Sequence, residues 1–221
     1  MSAPPQTESE LLDRARQICG LTLSELAVTV NVPLPKTGRN AKGWAGELLE
    51  IALGATAGSR PVADFEQLAI ELKSIPIGPT GRPKESTFVS TLNLRAPPSE
   101  RWENSTVWRK LRRVLWVPIE ASNIARLEER RIGAPVLWSP STSQASILQE
   151  DWEEIMDIVG SGDYGSLDAR LGTYLQIRPK AMNASELTHG RDEDGLAMRS
   201  LPRGFYLRTS LTSEVLAGAN A

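Results

Sequence analysis

Asp64, Glu71 and Lys73 stand in a D-x6-E-x-K arrangement. On an extended segment, residues two apart share a face, so Glu71 and Lys73 project together. Two carboxylates form an oxygen site for a hard cation such as Mg2+, and an ammonium beside them can orient or deprotonate a water and offset developing charge. The chemistry open to this set is metal-assisted hydrolysis of a phosphodiester. Glu50, on the preceding helical segment, would add a third oxygen ligand if that helix packs behind the strand. The competing reading is ordinary: an E-x-K pair on a solvated strand forms a weak ion pair and does nothing else.

These residues need a strand, a loop and a helix to hold them. The sequence predicts all three. Trp44, Leu48, Leu49, Ala52 and Leu53 repeat with helical period and stop at Gly54. GATAGSRP (54–61) is small and flexible in composition, a loop that delivers the chain to Asp64. AIELKSI (69–75) alternates, with Ile70, Leu72 and Ser74 on one side and Glu71, Lys73 and Ile75 on the other, and Pro76 is expected to stop it. Further strands are expected at 87–94, 114–119, 174–177 and 203–208. Residues 106–113 fit helix or strand.

Ahead of the site, Leu11, Leu12, Ala15 and Ile18 give a helix over 8–19 ending at Gly20. Thr22 with Glu25 forms a capping box for a second helix, and 31–40 reads as loop. Helices are expected at 144–159 and 210–217, with a turn or two at 167–171. Cys19 falls on the apolar side of its helix and reads as a small core residue. Glu150, Asp151, Glu153, Glu154 and Asp157 read as a solvated acidic face, His189 as part of an exposed loop, and the scattered tryptophans as packing residues. Interleaved strands and helices indicate an α/β protein with a mixed sheet flanked by helices.

A chain of 221 residues can bury roughly 70% of its unfolded surface without a disulfide or metal staple. The expectation is one domain, 1–221, with approximate lobes at 1–104 and 105–221. The net charge of −2 argues against a protein that coats nucleic acid indiscriminately. Basic residues are nevertheless clustered, with Arg109, Lys110, Arg112 and Arg113 together. A lone cysteine, no charged-then-apolar leader at 1–10 and no long apolar run lead to an expectation of a cytoplasmic protein without membrane association.

The surrounding blocks are more specific than the three-residue pattern. KGWAGELLEIALGATAGSRPVADFEQLAIELKSIP (42–76) resembles the MutH family of mismatch-repair nucleases at the same spacings. So do GRPKESTFV (81–89), KLRRVLWVPIE (110–120), LWSPSTSQASILQEDWEEIMDIV (137–159), YLQIRPKAMNA (174–184) and LPRGFYLR (201–208). The resemblance implies a restriction-endonuclease-like fold with a catalytic lobe and a DNA-recognition lobe around a cleft. It implies an enzyme that nicks the unmethylated strand of hemimethylated GATC sites, needs Mg2+, and is activated by MutL after MutS has found a mismatch. On matching positions, Asp64 and Glu71 would ligate metal, Lys73 would serve the attacking water, and Glu50 would assist. The nominal superfamily pattern has Pro before the first Asp; Ala63 stands there, which removes no ligand.

The resemblance also marks Lys42, Phe88, Lys110, Arg178, Pro179, Lys180 and Tyr206 as DNA-contacting positions. Basic side chains flanking a stiff proline suit guanine O6 and N7 in the major groove, and phosphate contact is the alternative. Phe88 and Tyr206, the latter near the adenine whose methylation is sensed, have core burial as their competitor. Lys110, Arg112 and Arg113 suit backbone phosphates, which position without specifying, and a solvated strand edge is the alternative. Such an enzyme is expected to act as a monomer on double-stranded DNA. Two other readings share the residues: a restriction enzyme that cuts both strands, and a DNA-binding module without catalysis.

Overall fold

The computed structural model describes residues 3–35, 43–94, 100–121, 126–180, 188–191 and 196–218. Among them are six α-helices, several 3-10 turns and eight strands in three small sheets. The protein is therefore α/β, but the single mixed sheet expected from the sequence is divided. The chain folds into two compact units, each assembled from discontinuous segments. The first comprises 1–84, 112–139 and 215–221; the second comprises 85–111 and 140–214.

The first unit is built on a sheet ordered β1-β3-β4: β1 Glu71–Ile77, β3 Val114–Glu120 and β4 Val136–Trp138. β1 and β3 run parallel, with Glu71 opposite Val114 and Lys73 opposite Trp116. β3 reads VLWVPIE and is buried along all but its last residue, as an apolar central strand should be. β1 does not stop at Pro76. It continues to Ile77 because it is an edge strand, where a missing N–H is tolerated, and the Pro76 carbonyl still accepts from the Lys84 N–H at 3.0 Å.

Three helices belong to this unit: α1 Glu8–Gln17, α2 Leu23–Thr29 and α3 Trp44–Leu53. Thr22 and Glu25 form the expected capping box, and α3 ends on Gly54 at φ +81°. A Cβ at Gly54 would lie 2.6 Å from the Ala3 carbonyl, so the N-terminal segment also requires glycine there. Leu11, Leu23, Leu26, Leu48, Leu49 and Leu53 join Ile70, Leu72, Leu115 and Val117 in one core. Cys19 is exposed, contrary to the sequence reading. α1 ends at Gln17, so the helical period that would have turned residue 19 inward is already broken.

The second unit holds an antiparallel sheet ordered β2-β8-β5: β2 Thr87–Thr91, β8 Arg203–Leu207 and β5 Leu175–Pro179. A hairpin of β6 Thr188–Arg191 and β7 Ala197–Ser200 forms the third sheet, so His189 lies on a strand, not in a loop. Residues 106–111 are helical (α4), and α5 spans Thr142–Ser161 behind a Ser141 capping box. The turns expected as helix near 167–171 are irregular instead. α6 Thr209–Gly218 closes the described chain. No helix among the described residues is long and apolar enough to cross a membrane.

Candidate active site and basic sheet face

Asp64 is brought to β1 by a tight loop. The Phe65 and Ile70 backbones pair with each other, residues Glu66–Leu68 form a 3-10 turn, and Ala69 takes a left-handed φ of +53°. Six intervening residues are thereby folded out of the way. The Leu72 N–H donates to Asp64 Oδ2 at 2.7 Å, fixing that carboxylate at the start of the strand that carries Glu71 and Lys73. The Asp64 carbonyl also accepts from Thr56 and Ala57 N–H groups at 2.9 and 3.3 Å, so the GATAGSRP loop is stitched to the site.

Glu71 is only 1% exposed. Its Oε1 accepts from Lys73 Nζ at 2.6 Å, a mostly buried pair rather than the solvated face of the ordinary reading. Glu50 sits at the C-terminal end of α3, half-buried. Its pKa is raised, first by burial, then by the negative charge of Asp64, Glu47 and Glu71, with Lys73 acting in opposition. The structure thus brings Glu50, Asp64, Glu71 and Lys73 into one electrostatic neighbourhood. Among the described residues no three histidine, cysteine or carboxylate groups close around a single point.

Burial of Glu50 among neighbouring carboxylates has a measurable consequence. Because Glu50 holds its proton more strongly folded than unfolded, its contribution is most favourable at low pH and declines as pH rises from the ordinary carboxylate range through the raised value. In metal-free buffer, Glu50→Gln is expected to melt above the wild type at pH 7, the difference vanishing below about pH 4. Thermal denaturation across that range checks it; a variant less stable at pH 7 contradicts it.

In the second unit, Arg178 and Pro179 lie within β5, opposite Gly204 and Arg203 of β8, and Tyr206 is opposite Phe88 of β2. Arg178 and Lys180 are exposed. Phe88 is 36% exposed and Tyr206 half-buried, so neither ring is a core residue. The two rings meet edge to face at 5.3 Å. Arg178 Cζ lies 5.7 Å from the Tyr206 ring centroid and Lys180 Nζ 4.7 Å from that of Phe88. Ser86 and Thr91 hydroxyls accept from the same cations at 2.6 and 2.8 Å. Two cations are thus held over two rings on one side of a sheet.

Ser86, Thr91 and Gly204 complete this face, and no local sequence signal marks them. A Cβ at Gly204 would meet the Phe88 ring at 2.8 Å, so this glycine lets the rings close over the sheet. Lys110 is half-buried on α4. Arg113, grouped with it in sequence, is instead ion-paired with Glu8 at 2.6 Å. Lys42 lies outside the described residues.

The relatives of this sequence settle its family. A chain 48% identical over 216 residues, covering 98% of this chain and 96% of the relative, is the DNA mismatch repair protein MutH of Vibrio campbellii. The chain belongs to the MutH family. The family model described as DNA mismatch repair enzyme MutH matches residues 53–151, which include Asp64, Glu71 and Lys73. The MutH of Escherichia coli K12 is 48% identical over 215 residues, covering 97% of this chain and 94% of its own length. That of Vibrio vulnificus is 46% identical over 219 residues, covering 99% and 96%.

Proposed function

We propose that this MutH-family chain is a Mg2+-dependent endonuclease of methyl-directed mismatch repair, which nicks the unmethylated strand of hemimethylated GATC sites. The observation that carries this reading is the Asp64 carboxylate held by the Leu72 N–H at 2.7 Å, beside the buried Glu71–Lys73 pair. Asp64 and Glu71 would hold the metal, which supplies Lewis-acid stabilisation of the scissile phosphate and lowers the pKa of a bound water. Lys73, already anchored by Glu71, presents its amine on the same face of β1 and serves the attacking water. Glu50, half-buried beside Asp64 and Glu71, would supply a further carboxyl oxygen near the site.

Under this reading Arg178, Pro179 and Lys180 read the GATC sequence, Tyr206 and Phe88 contact the bases, and Lys42 and Lys110 contact DNA. The fold is the restriction-endonuclease-like one, with a catalytic and a recognition lobe around the DNA. MutL activates the enzyme, MutS acts upstream of MutL, and the protein works as a cytoplasmic monomer. Closed circular DNA containing a GATC site tests the reaction: Mg2+ should convert it to open circles, and a chelator should prevent this. Linear product as the first species would instead support cleavage of both strands, and no product would support a binding module.

Lys110→Ala is expected to weaken binding about equally for all duplexes and to reduce the slope of log K against log[salt] by about 0.9, as loss of one phosphate contact does. Titrations at several salt concentrations measure both; a loss confined to GATC duplexes would make Lys110 a base reader.

A further inference from the structure

Asp151 is 5% exposed, although the charges around it on α5 face solvent. Its carboxylate accepts three consecutive backbone N–H groups: Thr173 on Oδ1 at 2.6 Å, and Tyr174 and Leu175 on Oδ2, both at 2.7 Å. Arg208 donates to three carbonyls of the same loop, Nε to Gly172 at 3.1 Å and Nη2 to Ala169 and Leu171 at 2.7 and 2.9 Å. The Arg208 N–H closes on the Tyr174 carbonyl at 2.8 Å. Gly172, at φ +74°, makes the loop possible, since a Cβ there would fall 1.9 Å from the Leu175 carbonyl oxygen.

This clamp grips the first residue of β5 and the residue just after β8. β5 is an edge strand of five residues, and Pro179 gives it no donor. Buried Leu175 and Ile177 favour its register, and the Asp151 and Arg208 bonds add to that at the open edge. A slip by one residue would send Arg178 and Lys180 to the other face of the sheet, away from Tyr206 and Phe88. A carboxylate that recognises three successive N–H groups, and a guanidinium that recognises three carbonyls, define which residue of β5 faces which of β8.

We infer that Asp151 and Arg208 are positioning residues for sequence discrimination, setting the register that presents Arg178 and Lys180 together with Tyr206. The inference rests on the proposed role of Arg178 and Lys180 as base readers. Asp151→Asn places an amide N–H against at least one of the three backbone donors, and Arg208→Lys replaces the fork with a single ammonium. Val159→Ala, which truncates a buried residue of α5 remote from the clamp contacts, serves as a control for lowered stability alone.

The measurement is affinity for a GATC duplex and for the same duplex with the first guanine replaced, at one salt concentration, with folding checked by circular dichroism. Both clamp variants should lose roughly tenfold or more of the wild-type ratio, while affinity for the replaced duplex stays within about twofold. Val159→Ala should keep the ratio. A ratio retained in the clamp variants, or lost equally in Val159→Ala, overturns the inference; should Asp151→Asn not fold, Arg208→Lys decides. A wild-type ratio of one would instead overturn the base-reading assignment, and this inference with it.

Discussion

Asp64→Ala and Glu71→Ala should each lower nicking by more than about 100-fold, since loss of groups that merely orient metal ligands already costs 10–100-fold. Duplex affinity should change little. The reason lies in what each carboxylate touches. Asp64 is bound to the Leu72 backbone and Glu71 to Lys73, both within the first unit. In metal-free buffer, removing a negative charge from the proposed site does not weaken attraction to phosphate, so an effect on catalysis without an effect on binding there separates metal holding from nucleic-acid contact. Glu71→Ala also leaves Lys73 without the oxygen that orients it, so its loss should equal or exceed that of Asp64→Ala. Single-turnover nicking and equilibrium binding on the same duplex measure the two effects. Full activity in either variant would remove the site assignment.

Lys180→Ala should lose discrimination where Lys110→Ala loses affinity. A side chain that bonds a guanine edge contributes about 1–3 kcal/mol of discrimination, between about fivefold and 150-fold in the affinity ratio. In the free protein Lys180 Nζ is held by Thr91 at 2.8 Å and lies 4.7 Å from the Phe88 ring centroid. It is therefore preorganised on the side of the sheet that carries Arg178 and Tyr206, and little side-chain entropy is left to lose on binding. Arg178→Ala should act in the same direction and non-additively, because the two flank Pro179 on one short segment. A variant that keeps the wild-type ratio between GATC and guanine-replaced duplexes, and loses only overall affinity, would make Lys180 a phosphate contact.

Much of this arrangement is legible in the sequence because local signals carry it. The α3 repeat with Gly54, the Thr22–Glu25 capping box, and the alternation that puts Glu71 and Lys73 on one face all depend on residues a few positions apart. What was not legible is mostly non-local. Pro76 reads as a strand stop until the pairing order shows β1 at an edge. The three-residue β4 and the β6-β7 hairpin are too short for their periodicity to register, and Arg113 finds Glu8 across more than a hundred residues. Asp151 is different. Its spacing from Leu148, Trp152, Ile155 and Val159 places it on the buried stripe of α5, and the run of acidic neighbours concealed that.

Under the proposed function, Asp64, Glu71 and Lys73 nick one strand chosen by its methylation. Its most direct test is a hemimethylated GATC duplex with the two strands labelled differently, incubated with protein and Mg2+ and resolved on a denaturing gel. Cleavage of the unmethylated strand alone is expected, with none when both strands are methylated and none with Glu71→Ala. Equal cleavage of both strands, or cleavage indifferent to methylation, would contradict it.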